Sequence, residues 1–231
     1  MFKNSKKTIL NAGRALGISL LLLWSALLLA QNPSKQIKLD SISKKNSLQF
    51  GLGVGYGITK LQTDNPYNRS LLRPAFSVMM RHQFAVKNQL VYKISYRSFG
   101  FGYLLQKDVL VDYQQLDFAG LSVNYLRTIT TKSPLSIGAG IFGERLLRGR
   151  FVTIYSDGRR FSNSAMMGLN TINWGGHLMG QYQVKLAKRL TTTIELEYVL
   201  GISNLYNQFA TQSNGHGLYS RGVFLNLGVF F

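Results

Sequence analysis

Phe50-Gly51-Leu52-Gly53-Val54-Gly55-Tyr56-Gly57-Ile58 decides the fold. Every even position is large and apolar, and every odd position is glycine. Successive residues of a strand point to opposite faces, so this segment, read as a strand, has one greasy face and one face of bare backbone. A strand of a water-soluble sandwich would set polar groups opposite its apolar face. Here the apolar face suits lipid and the glycines suit a cramped interior.

The same two-residue rhythm recurs along the chain. Phe76, Val78 and Met80 alternate with Ser77, Met79 and Arg81; Leu90, Tyr92, Ile94 and Tyr96 alternate with Val91, Lys93, Ser95 and Arg97. Between Leu116 and Arg127 the parity breaks: Leu116 and Phe118 share one phase, while Leu121, Val123 and Tyr125 share the other. A bulge near Ala119-Gly120 would reconcile them. Leu135, Ile137, Ala139 and Ile141 form a fifth strand, Trp174, Leu178, Tyr182 and Val184 a sixth, Leu190 to Tyr198 a seventh, and Val223 to Phe231 an eighth. Each is long enough for the roughly 9–11 residues of a tilted membrane strand.

Short links are expected around Val86-Lys87-Asn88, Thr130-Thr131-Lys132-Ser133 and Ala187-Lys188-Arg189, and longer ones at Leu61–Leu72, Leu104–Gln114, Gly149–Asn170 and Ser203–Tyr219. Asp157-Gly158 inside the third long link carries a hairpin signature, which would extend the flanking strands beyond the membrane. Short turns at one end and long loops at the other, with an even strand count, predict an all-β fold: an eight-stranded antiparallel transmembrane up-and-down β-barrel over residues 48–231. Closure is required physically, because an open sheet edge in lipid leaves backbone groups unpaired at several kcal/mol each.

Upstream, Lys3, Lys6, Lys7 and Arg14 precede an apolar block from Leu16 to Ala30. At 15 residues it is shorter than the ~20 needed to cross a bilayer as a helix. Residues 1–30 therefore read as a signal peptide cut after Ala30, and 31–47, polar and lysine-bearing, as a flexible periplasmic lead-in. The chain holds no cysteine, which excludes both a lipoprotein anchor and disulfides. The closing Leu227-Gly228-Val229-Phe230-Phe231 is how a barrel-closing strand ends, and Phe231 is assigned as the signal to the barrel-assembly machinery. The expected location is the outer membrane of a Gram-negative bacterium.

Taking the four basic residues of the leader from 27 leaves 23 against 9 acidic ones, a net +14. No basic patch with interleaved aromatics supports a nucleic-acid partner. Outer-membrane lipid and anionic lipopolysaccharide fit an exported chain better. Arg145, Arg148, Arg150, Arg159 and Arg160, with Arg69 and Arg73 near the first long loop, form a candidate lipopolysaccharide-contacting set, since guanidinium forks match phosphate geometry. A solvated basic loop set is the alternative.

Inward parity places Arg81, Lys93, Arg97, Glu144, His177, Lys185, Glu195 and Glu197 inside, with Asp117 joining them. Eight strands leave room for side chains rather than a wide lumen, so these charges should pair, with Glu195 and Glu197 facing some of Arg97, Lys93 and Arg81. The set would form either a structural plug or a narrow porin-like gated path. His82, His177 and His216 are the only histidines, and no spacing unites them with a serine or a metal-ligand cluster. No catalytic residue, cofactor or metal is expected, although some small barrels modify lipid A enzymatically. Trp174, Tyr182, Tyr92, Tyr198 and Phe231 should sit in interfacial belts.

Several stretches resemble the outer-membrane β-barrel family widespread in Bacteroidota, which includes PorT-like proteins. They are Leu116-Asp117-Phe118 with Tyr125, Gly138-Ala139-Gly140, Glu197-Tyr198-Val199-Leu200-Gly201-Ile202-Ser203-Asn204 and the closing Phe231. The resemblance implies a non-enzymatic eight-stranded barrel in the porin family sense and, for PorT-like members, accessory work with secretion components.

Overall fold

The structure, a computed structural model, describes residues 47–62, 68–103, 109–129, 134–155, 157–164, 168–187, 190–206 and 217–231. The expected signal peptide and nearly all of the lead-in lie outside the described residues.

The strands are β1 (Ser47–Gln62), β2 (Asn68–Gln83), β3 (Asn88–Tyr103), β4 (Val109–Thr128), β5 (Leu135–Tyr155), β6 (Arg160–Ser164), β7 (Ile172–Lys185), β8 (Thr191–Gly201) and β9 (Tyr219–Phe230). All pair antiparallel, and β1 pairs with β9 while β4 pairs with β5, so the sheet closes on itself. The five-residue β6 pairs only with the upper end of β5, through Asp157-Gly158. Eight staves thus make the barrel, and β6 is an appendage of one of them. At the seam, Phe231 N–H donates to the Phe50 carbonyl at 2.9 Å and Phe50 N–H to the Phe231 carbonyl at 3.4 Å.

The short links and both ends of the barrel domain lie at one rim. At the other rim the strands run further than the hydrophobic rhythm suggests. β1 and β2 leave only 63–67 between them and β3 and β4 only 104–108, so two of the four expected long loops are short. Outside lipid the apolar face loses its purpose, but the backbone ladder continues with polar and apolar side chains mixed on both faces. The pattern fades there while the strand does not. As a result β4 and β5 reach 20 and 21 residues, against 11 and 12 for β8 and β9.

The outer face is the apolar one. Leu52, Ile58, Leu121, Ile141 and Leu178 are each more than half exposed, while the glycines between Phe50 and Ile58 point inward. A Cβ at Gly57 would lie 2.3 Å from the Phe224 ring and one at Gly51 2.7 Å from the Phe230 ring. The bare flank of β1 is therefore the socket for aromatic side chains of β9.

The expected bulge at Ala119-Gly120 is absent. β4 keeps one inward parity from Gln114 through Leu116, Phe118, Ser122, Asn124 and Leu126, so Leu116 and Phe118 face the interior. The irregularity lies one strand over. Asp117 pairs with Arg148 and the next residue, Phe118, with Leu146, which leaves Leu147 of β5 as the extra residue. A second irregularity falls in β2 between Ser70 and Ala75.

The interior is filled in three storeys. Toward the short-turn rim, Met79, Val91, Leu126, Met179 and Phe230 form an apolar floor. Toward the other rim, Phe99 stacks edge-on against Phe118 and Phe224 at 5.8 and 5.7 Å, with Leu61, Leu116 and Leu218 around them. The charged layer lies between.

Candidate functional site

Inward parity on β3, β5, β7 and β8 gathers Lys93, Arg97, Glu144, His177, Glu195 and Glu197, each at most 5% exposed. Glu195, Glu197 and Glu144 are the three glutamates of the whole chain. Lys93 Nζ is ion-paired with Glu195 and lies 3.5 Å from Glu197 Oε2. Arg97 bridges two strands: Nη1 donates to Glu197 Oε1 at 2.8 Å, and Nε lies 2.7 Å from Glu144 Oε1 as an ion contact without hydrogen-bond alignment. His177 Nδ1 stands 2.7 Å from Glu197 Oε1, also out of line, and its ring lies 5.9 Å from that of Phe142. Gly140 makes this placement possible, because a Cβ there would come within 2.3 Å of His177 Nε2.

Neutral amides complete the layer. Gln181 Nε2 donates to Glu195 Oε2 at 3.3 Å, Asn226 Nδ2 to Glu195 Oε1 at 3.2 Å and to Glu197 Oε2 at 3.3 Å, and Asn173 Nδ2 to Glu144 Oε2 at 3.2 Å. Sequence reasoning overlooked these three; they share the inward parity of the charges they serve, which is the signal that could have found them. They matter because a buried carboxylate keeps lone pairs that one cation cannot fill.

Arg81 takes a different role from the expected pairing. Its Nη1 donates to Gln49 Oε1 at 3.4 Å and Gln183 Oε1 at 3.3 Å, and its guanidinium lies 3.7 Å from the centre of the Phe230 ring. It closes the floor instead of joining a carboxylate. Including it, the described residues put three basic and three acidic side chains in the interior beside His177. The cavity lined by Lys93, Arg97, Glu197 and Asn226 has a volume of about 10 Å³, room for one water at most.

Two expected members of this layer lie elsewhere. Lys185 ends β7 at the short-turn rim and is exposed, because the strand stops before its parity can carry it inside. Asp117 has the parity opposite to Leu116 and Phe118, so it belongs to the outer wall. There its Oδ1 accepts from Ser98 Oγ at 2.7 Å and from Gln115 Nε2 at 2.8 Å.

The expected arginine set divides. Arg145, Arg148 and Arg150 stand on the outer side of β5, opposite Ala119, Asp117 and Gln115 of β4. Arg73 reaches the same patch, with its guanidinium 5.2 Å from the Tyr113 ring centre and Nη1 3.4 Å from Gln115 Oε1. Arg150 Nη2 is 3.9 Å from Asp117 Oδ2. Arg160 Nη2 donates to the Tyr113 hydroxyl at 3.2 Å, while Arg159 is engaged by Asp157 at the β5–β6 turn. The backbone N–H of Arg159 and its guanidinium hold the Asp157 carboxyl below the usual aspartate range. The Arg69 side chain lies outside the described residues, as does His216; His82 sits at the short-turn end of β2 beside Phe84. Among the described residues no group of three or more His, Cys, Asp or Glu side chains is arranged to hold a metal ion.

A closed antiparallel cylinder with an apolar outside and a side-chain-filled inside pairs its strands all the way round and leaves no open sheet edge. That is the architecture of a transmembrane β-barrel of the outer-membrane class. No protein-family model and no curated protein matches the chain. Among solved structures it is similar to Ail, the attachment invasion locus protein of Yersinia pestis, in complex with the heparin analogue sucrose octasulfate. Identity is 12% and the TM-score 0.42, covering 80% of this chain and 99% of that one. Neisserial surface protein A is 13% identical with a TM-score of 0.43, over 80% of this chain and 97% of its own. The outer membrane protein OprG from Pseudomonas aeruginosa is 12% identical with a TM-score of 0.44, over 82% and 98%.

Proposed function

We propose that this chain is a small integral outer-membrane barrel that does not conduct, and that its role is structural or accessory rather than enzymatic. One observation carries the reading: the charged layer is sealed between two apolar storeys. An ion moving along the axis would have to pass Phe230 and Met79 at one end and the Phe99–Phe118–Phe224 cluster at the other, all at most 4% exposed. Desolvating an ion twice on a path without a continuous polar wall is prohibitive. The same packing favours a plug over the porin-like alternative. His177 contacts a carboxylate and an aromatic ring inside the sealed layer, where a lipid substrate has no access to it, which supports a non-enzymatic role over lipid A modification.

A PorT-like task alongside secretion components is the finer form of this reading, and it rests on the sequence resemblance alone. The test is direct. The protein should remain with outer membranes through an alkaline carbonate wash and give silent traces in planar bilayers. Steady unitary conductance from the wild-type barrel would overturn the plug, and release by carbonate would overturn the membrane assignment. Loss of protein secretion on gene deletion would support the accessory role, and intact secretion would remove it.

A further inference from the structure

On β4 and β5 the lipid-facing band climbs through Tyr125, Val123 and Leu121 and through Ile137 and Ile141, and then stops at Arg145 and Asp117. Above that line the outer wall belongs to arginine, and two defects in the sheet put it there. Arg148 and Arg150 share sequence parity with Phe142, Glu144 and Leu146, all of which point inward. In an unbroken strand both guanidiniums would enter the aromatic storey. The extra residue Leu147 turns them out, which is how a bulge re-aims side chains. In β2 the irregularity between Ser70 and Ala75 accompanies a similar change. Arg73 pairs with inward-facing Gly57 yet lays its guanidinium over Tyr113 and Gln115, on the outer side of β4.

Arg148 stands opposite Asp117, Arg150 Nη2 lies 3.9 Å from its Oδ2, and Arg73 and Arg145 flank that pair, one beside Gln115 and the other opposite Ala119. Asp117 offsets one of the four positive charges, and Ser98 and Gln115 already occupy its Oδ1. The Nε donors of Arg73 and Arg150 are buried and have no hydrogen-bond partner among the described residues. Leu147, 55% exposed, stands among the arginines as an apolar contact.

The geometry points to a binding site for the phosphorylated headgroup of an outer-leaflet lipid, held by Arg73, Arg145, Arg148 and Arg150, an inference that rests on the membrane reading above. Forked donors suit phosphate oxygens. The site's height, directly above the apolar band, and the exposed leucine select a lipid over a soluble anion. The patch carries three positive charges in excess of its one carboxylate, so a headgroup with more than one phosphate is the best match.

The test compares wild type, Arg148→Gln/Arg150→Gln and, as a control outside the patch, Arg159→Gln. Each is purified folded in detergent and titrated by native mass spectrometry with bis-phosphorylated lipid A, the same lipid without phosphates, and inorganic phosphate. Wild type and Arg159→Gln should retain the bis-phosphorylated lipid at concentrations at least tenfold lower than the dephosphorylated one, and the double variant should lose that preference. Equal retention of both lipids by wild type, or an undiminished preference in the double variant, would overturn the site. So would inorganic phosphate binding as tightly as the lipid, which would mark a free-anion site. Folding is followed separately by the heat-dependent gel shift of intact barrels. A wild type that stays soluble without detergent sinks the membrane reading itself, whereas a folded barrel without preference sinks only the lipid site.

Discussion

The barrel carries two clusters of charge, and they are built on opposite rules. Inside, three glutamates meet Lys93, Arg97 and His177, and each carboxylate also accepts from a side-chain amide. Outside, Arg73, Arg145, Arg148 and Arg150 lie on one stretch of wall that offers a single aspartate, paired with Arg150 and already accepting from Ser98 and Gln115. A charged layer paired off within a sealed interior serves the fold, because a ligand cannot reach it. A cluster left with excess charge at the edge of an apolar band is stable only with something from solvent or membrane to balance it. The contrast separates scaffold from site more clearly than charge content does.

The contrast is most severely tested by Glu197→Leu, which removes the carboxylate shared by Lys93, Arg97 and His177. Leaving two cations under-paired in the interior should cost about 3–5 kcal/mol, read from urea unfolding in lipid vesicles. An effect below about 1 kcal/mol would show that the layer is not a closed network. Next comes Gly57→Ala, which places a methyl against the Phe224 ring and should cost roughly 1–3 kcal/mol by overpacking. Adding Phe224→Leu should return part of that loss, and no recovery would mean that the socket between β1 and β9 has been misjudged.

On the outer wall, Arg148→Gln/Arg150→Gln should change stability by no more than about 1 kcal/mol, since partly exposed pairs contribute little. A loss as large as that of Glu197→Leu would place those arginines among the scaffold residues. The smallest effect concerns the β5–β6 turn. The lowered Asp157 value means that its stabilising contacts are complete above the ordinary aspartate range and disappear as pH falls through the depressed folded value. Acidification into that range should speed amide exchange at Gly158 and Arg159 while the barrel ladder stays protected. Uniform exchange at the turn across that pH range would contradict it.

Much of the fold could be read from the chain, because lipid on one side enforces alternation wherever a strand crosses it. Phe50–Ile58 and Thr191–Tyr198 show both faces unmistakably, and the inward charges of β3, β5, β7 and β8 follow from parity alone. Legibility ended where lipid ended. The upper thirds of β4 and β5 mix polar and apolar residues on both faces, as in 109–115 and 148–155, so the alternation that marks a lipid-crossing strand is lost there. Leu116 and Phe118 were misplaced because large apolar side chains fit lipid and the aromatic storey equally well, and only the ladder distinguishes the two. Asp117 followed them to the wrong face. The outward turn of Arg148 and Arg150 depends on a single unpaired residue, and Leu147 looks like any other apolar strand residue.

That unpaired leucine has a consequence for how this wall can change over time. In a loop, gaining or losing one residue alters length and little else. Between Glu144 and Arg148 the same event exchanges inside for outside along all of β5 beyond it, delivering guanidiniums to the lumen and former lumen residues to the membrane's edge. Spacing at this point is therefore inherited as information: two chains with identical arginines but a one-residue difference here would present opposite surfaces.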